Sequence, residues 1–163
     1  MFEKVLKNIK PSKKEEQEIL KIVNEFLGKI NSKLVNATAV VGGSFAKGTW
    51  LKGQHDIDLF ILFNSETNMS LRLEVAIKSV FDKYEKIHGS RDYFIVYYKE
   101  LSFELVPVLK IGRPEDAKNI TDVSPMHVDW VKENIGGKLA DEIRLTKQFM
   151  KANGCYGAET YIG

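Results

Sequence analysis

Apolar side chains at Ile19, Ile22, Val23, Phe26, Leu27 and Ile30 recur at the i, i+3, i+4 spacing of a one-faced helix, predicted over 12–31. Ser12, with Glu15 three residues on, has the pattern of a capping box at its start. The period then changes. Residues 37–41 form a short β-prone run that ends at Gly42-Gly43, and 56–63 reads as a strand with an apolar end, Leu59-Phe60-Ile61-Leu62-Phe63. A second amphipathic helix is predicted over 68–86, with Leu71, Val75, Ile77, Val80, Phe81 and Tyr84 available for packing. Residues 92–98 and 102–109 are rich in β-branched and aromatic side chains and read as strands joined by a hairpin at Lys99-Glu100-Leu101. Pro107 puts the second of these at an edge or interrupts it, because proline cannot donate to a ladder. After a loop at 112–116, helices are predicted over 126–134 and 138–153, the last stopped by Asn153-Gly154. The order helix, strand, helix, strand, strand, helices predicts an α/β or α+β chain with a small mixed sheet.

Composition narrows this only slightly. With 163 residues the chain holds one domain, or one plus a piece of another. Its 44% apolar and 28% charged residues exclude disorder for most of its length. No apolar run approaches the roughly 18 residues of a membrane helix, and the first seven residues give no reason to expect a secretory signal. The single cysteine, Cys155, leaves no internal disulfide and fits a reducing, cytoplasmic setting. A net charge of +2 does not by itself argue for nucleic acid, although Lys4, Lys7, Lys10, Lys13 and Lys14 crowd the first 14 residues. They read as a solvated helix start and tail.

The chemistry concentrates at Val41-Gly42-Gly43-Ser44-Phe45-Ala46-Lys47-Gly48-Thr49-Trp50-Leu51 and Asp56-Ile57-Asp58-Leu59-Phe60. Two glycines after a strand allow a sharp turn and close approach to a ligand. A short helix starting at Ser44 would aim backbone N–H groups, a hydroxyl and the nearby Lys47 at a phosphate; a plain turn with a capping serine has the same pattern. Asp56 and Asp58, two apart on a strand, face the same way, about 7 Å apart at their Cα atoms. Like charges that close favour a shared cation, and the oxygen-seeking Mg²⁺ suits carboxylates and substrate phosphates. Glu104, flanked by apolar residues on a second strand, offers a third carboxylate or an outward-facing surface charge. Three acids on neighbouring strands beside a phosphate-binding turn suit two-metal phosphoryl or nucleotidyl transfer.

Gly43-Ser44 followed by Asp56-x-Asp58 resembles the signature of the DNA polymerase β-like nucleotidyltransferase superfamily. The longer string, Gly42-Gly43-Ser44-x-x-Lys47-Gly48-Thr49-Trp50-Leu51 with Asp56-Ile57-Asp58-x-Phe60, resembles one branch, the archaeal-type (class I) CCA-adding tRNA nucleotidyltransferases. Glu104-Leu-Val-Pro107, Ser124-Pro125-Met126-His127, Arg144-x-x-Lys147 and Lys151-Ala152-Asn153-Gly154-x-Tyr156-Gly157-Ala158-Glu159 agree in order. The resemblance implies an α+β nucleotidyltransferase fold. It implies a catalytic head over 1–120 and, over 121–163, the start of a nucleotide-contacting central domain.

By the same resemblance, Asp56, Asp58 and Glu104 are the catalytic acids and hold Mg²⁺, while Gly43, Ser44 and Lys47 cradle the triphosphate. His127, Lys147 and Tyr156 match positions that contact the nucleotide from the neighbouring domain. Taken alone, these three also fit a helix cap, a solvated face and a core aromatic. Glu104 departs from the family's usual aspartate; its extra methylene adds about 1.5 Å of reach where errors near 1 Å matter. The implied activity is template-independent addition of C, C and A to the tRNA 3′ end from CTP and ATP. Family members run well past the match to Tyr156, so further domains or a C-terminal partner chain are expected. Two other functions stay open: a minimal nucleotidyltransferase modifying a protein or small molecule, and a catalytically silent binding subunit of a split complex.

Overall fold

The computed structural model describes residues 2–157. Helix α1 (Phe2–Ile9) leads into α2 (Lys13–Asn31), which opens with the expected reciprocal box: Glu15 N–H donates to Ser12 Oγ, and the Ser12 N–H donates to the Glu15 carboxylate. The buried stripe of α2 is Val23, Phe26 and Ile30. It lies on a five-stranded sheet built from β1 (Ala37–Val41), β2 (Asp56–Phe63), β3 (Tyr84–Ile87), β4 (Tyr93–Tyr98) and β5 (Leu101–Leu109), in the spatial order β1-β2-β5-β4-β3. Only β2 and β5 run parallel. The sheet is therefore mixed, as expected.

Strand alternation sorts the two faces. Ile57, Leu59, Ile61 and Phe63 of β2 and Phe103 and Leu105 of β5 are buried in the core with α2 and helix α4 (Met69–Lys78). At its centre Phe26 stacks on both Phe81 and Phe103, with ring centroids 4.4 and 3.8 Å apart. The opposite face of β2 and β5 carries Asp56, Asp58, Ser102 and Glu104.

One expectation needs correction. The helix predicted over 68–86 stops at Lys78, and Tyr84–Ile87 is the edge strand β3, with Tyr84 opposite Val96. Met69, Leu73, Ala76 and Ile77 form the buried face of α4, so Leu71 and Val75 point outward, 59% and 62% exposed. Val80 and Phe81 do pack on the core, but from the turn that follows the helix. Pro107 sits in a strand that is central along one part and an edge along another. β4 pairs with β5 only at Leu101 to Leu105, and beyond that point β5 pairs with β2 alone. The missing proline N–H thus falls where β5 is free on its β4 side.

Two short 3-10 turns, Pro114–Asp116 and Ile120–Val123, carry the chain to helices α5 (Ser124–Asn134) and α6 (Gly137–Ala152). Asp122, in the second of these turns, is buried. It takes N–H donors from Leu109, Lys118 and Asn119 at 2.8–3.0 Å and pairs with Arg91 from the β3–β4 connection. Helix α6 returns against α1, and Lys10 pairs with Asp141 at 2.9 Å.

Candidate active site

The site begins at the turn after β1. Gly42 donates its N–H to the Asp58 carbonyl at 2.7 Å, which draws the turn over β2. Gly43 then adopts φ +53°, and a Cβ there would lie 1.5 Å from Asp58 Oδ2. Both handedness and space exclude any side chain. The single helical turn α3 (Gly43–Ala46) starts here as expected, with the Ser44 backbone close enough to the Asp58 carboxylate to oppose the rise in its pKa. Ser44 and Lys47 both line the cleft and offer a hydroxyl and an ammonium to a ligand.

The acids come together through the parallel ladder. Asp58 is in register with Glu104, and Asp56 with Ser102, whose hydroxyl donates to Asp56 Oδ1 at 2.5 Å. Asp56 is exposed; Asp58 and Glu104 are half-buried. Burial raises the Asp58 pKa, and the Asp56 charge raises it further against the pull of Lys47. Burial likewise raises Glu104, with Asp58 and then Asp56 adding to it. Among the described residues none of the three forms an ion pair. They are not converged as a ready-made metal cluster either. The donor chemistry nonetheless fits a divalent cation, because hard oxygen ligands carry mutual repulsion that only a positive charge would relieve.

These groups edge a cleft of about 480 Å³ lined by Ser44, Lys47, Thr49, Asp56, Asp58, Lys147 and Tyr156, among others. Lys147 reaches it from α6, and burial lowers its pKa, with the Lys47 and Lys151 charges acting in the same direction. Tyr156 has the Lys151 ammonium 5.3 Å from its ring centroid. Glu104 stands beside Asp58 but is not itself among the lining residues. His127 is exposed on α5 and is not among them either; α5 contributes Val131, one turn further along the same helix face.

A strand-turn-helix presenting paired aspartates to a cleft with two lysines has counterparts. The model of the nucleotidyltransferase domain matches residues 6–127. The chain belongs to the nucleotidyltransferase family. Members of this family generally use divalent metal ions. Curated relatives of this nucleotidyltransferase include the CCA-adding enzyme of Nanoarchaeum equitans, 42% identical over 155 residues and 93% of this chain. The CCA-adding enzyme of Sulfurisphaera tokodaii is 36% identical over 98% of the chain. The chain spans 39% of the length of each. Among solved structures, a cytoplasmic RNA terminal U-transferase superposes with TM-score 0.70 at 16% identity, covering 96% of this chain and 46% of that one. The Cid1 poly(U) polymerase gives 0.72 at 15%, covering 96% and 48%. At such identities these two show the shared nucleotidyltransferase fold.

Sequence reasoning assigned no role to Thr49 or Arg144, although both stood in the strings that carried the resemblance. Thr49 is 3% exposed and lines the cleft, and Arg144 is 4% exposed behind it. A buried arginine is the signal that only the structure supplies. Ala158 and Glu159, which closed the last of those strings, lie outside the described residues.

Proposed function

We propose that this chain is the catalytic portion of a CCA-adding enzyme, acting in the cytoplasm on the tRNA 3′ end with CTP and ATP. Residues 1–120 form the catalytic head and 121–163 begin a nucleotide-contacting domain. The observation that supports this best is that Asp56 and Asp58 line one cleft with Lys47 and Lys147, while Glu104 stands in register beside Asp58. The identity of 42% and 36% to curated CCA-adding enzymes along nearly the whole chain supports this reading of the substrate.

In this reading the Ser44 hydroxyl donates to a phosphate oxygen, and the Lys47 ammonium neutralises the β- and γ-phosphates. Lys147 and Tyr156 bound the nucleotide from the α6 side, and His127, which does not line the cleft here, contacts the nucleotide from α5. Asp56, Asp58 and Glu104 would hold Mg²⁺, which would supply Lewis-acid activation of the attacking hydroxyl and charge neutralisation on the leaving pyrophosphate. The tRNA 3′-oxygen bonds to the α-phosphorus as the bond to the bridging oxygen of pyrophosphate breaks. Glu104 helps to orient the attacking hydroxyl or to take up its proton. Most of the rate enhancement comes from positioning and electrostatics rather than from a covalent intermediate. Further domains, in the same polypeptide or a partner chain, supply most of the tRNA-binding surface.

The test is transfer of label from α-labelled CTP and ATP to tRNA lacking its terminal CCA, assayed with this chain inside the full-length enzyme or together with a C-terminal partner. Label on tRNA that disappears in Asp58→Ala supports the proposal. Label on protein or a small molecule, with tRNA unlabelled, identifies a minimal nucleotidyltransferase instead. Label on no acceptor leaves a binding subunit.

A further inference from the structure

Three successive backbone carbonyls after the phosphate turn, those of Gly48, Thr49 and Trp50, are held by two cations of one helix. Arg144 Nε donates to the Trp50 carbonyl at 3.0 Å and its Nη2 to that of Gly48, while its Nη1 donates to Asp141 at 2.6 Å. The guanidinium is thus buried with each of its three nitrogens bonded. Lys147, one turn further along α6, makes only long contacts to Thr49, 3.4 Å to the carbonyl and 3.5 Å to the hydroxyl. The same loop is tied back to the turn, since the Thr49 N–H donates to the Ser44 carbonyl at 2.9 Å. Arg144 is therefore the firm fastening between α6 and the Ser44 turn, and Lys147 the loose one.

We propose that Arg144 is a positioning residue for the nucleoside triphosphate: it clamps α6 to the Gly48–Trp50 loop so that the Lys147 ammonium is set opposite Lys47 and free to leave Thr49 for a phosphate. This rests on the nucleotide reading of the cleft. Without Arg144, Lys147 becomes the main tether of the helix. It cannot serve as tether and ligand at once.

The experiment is a thermodynamic cycle of MgATP dissociation constants for the wild type, Arg144→Met, Lys147→Met and the double variant, at a temperature where circular dichroism shows all four folded. Arg144→Met is expected to weaken ATP by about tenfold, and the double variant to lose no more than about twofold beyond Lys147→Met, because residues acting through one another are non-additive. A purely structural arginine lowers the melting temperature without producing that coupling. ATP affinity within twofold of wild type in Arg144→Met, or losses that multiply in the double variant, overturns the inference while leaving the cleft's nucleotide role intact. A wild-type chain that does not bind ATP overturns both. If Arg144→Met does not fold, Arg144→Lys, which keeps the charge but not the fork, takes its place in the same cycle under the same criteria.

Discussion

Gly43 and Asp58 contend for one volume: a β-carbon on the glycine would sit on the aspartate's Oδ2. The turn that presents Ser44 and the strand that presents the acids are therefore in contact through a missing side chain. Gly43→Ala must either push Asp58 aside or reshape the turn. The expected outcome is at least a hundredfold loss of nucleotidyl transfer, with a stability loss of about 1 kcal/mol or more, since alanine at positive φ is strained. Steady-state kinetics and denaturant melts check it, and near-normal kinetics would sink the close packing described for this corner.

Asp58 separates stability from activity. Its raised pKa means that the folded state disfavours the charged form: this destabilisation is absent at low pH and sets in as pH rises through the ordinary aspartate range and then the folded pKa. Asp58→Asn is therefore expected to abolish transfer while raising the metal-free melting temperature near pH 7 by roughly 2–4 °C, the response to about 1 kcal/mol in a chain of this size. The gain should vanish at low pH, where the wild-type carboxyl is protonated. Adding Mg²⁺ should stabilise the wild type and leave the variant unchanged. Scanning calorimetry with and without the metal measures all three, and a variant as active as wild type removes Asp58 from the mechanism.

Glu104 offers a test by length and charge. Glu104→Asp should keep activity or improve it, if the acid opposite Asp58 faces the metal. Glu104→Gln should lose most of it, because an amide brings no charge to a hard cation. Wild-type kinetics in the glutamine variant would make Glu104 an ordinary strand residue.

Asp122 is expected to matter for stability rather than chemistry. Burial pushes its pKa up, but the Arg91 pair and the N–H groups of Leu109, Asn119 and Lys118 outweigh that and hold it below the ordinary 3.8. The stabilisation is fully present above that value and is lost as pH falls through the lower folded pKa. Asp122→Ala should cost about 3 kcal/mol at neutral pH, the scale for orphaning a buried charge. The gap between variant and wild type should narrow in strong acid. Urea titrations from pH 2 to 7, around the ordinary pKa of about 3.9, read this directly.

The elements with strong local signals were legible. Ser12 and Glu15 mark the start of α2, Gly42-Gly43 ends β1, and the two-residue spacing of Asp56 and Asp58 is enough to put both acids on one face of their strand. The stretch 68–86 misled because Leu71, Val75 and Tyr84 keep helical spacing with residues that are buried for other reasons. Only the pairing of Tyr84 with Val96, a tertiary contact, turns its end into a strand. The Asp58–Glu104 pairing was out of reach for the same reason, since no local pattern sets the register of a parallel ladder. Arg144 carries no distinguishing mark in the sequence, because nothing in its neighbours announces that Gly48 and Trp50 will meet it.

The parallel pairing of β2 with β5 has a kinetic consequence. Ser102 and Asp56, neighbours in that ladder, are 46 positions apart, whereas the β4–β5 hairpin between Tyr98 and Leu101 closes locally. Closing the longer loop costs more chain entropy, so β2 is expected to dock after the hairpin has formed. The hairpin alone carries Glu104 and lacks both aspartates. Competence to bind a divalent ion would therefore arise in the final step of folding, and the appearance of metal affinity during refolding would time the arrival of β2.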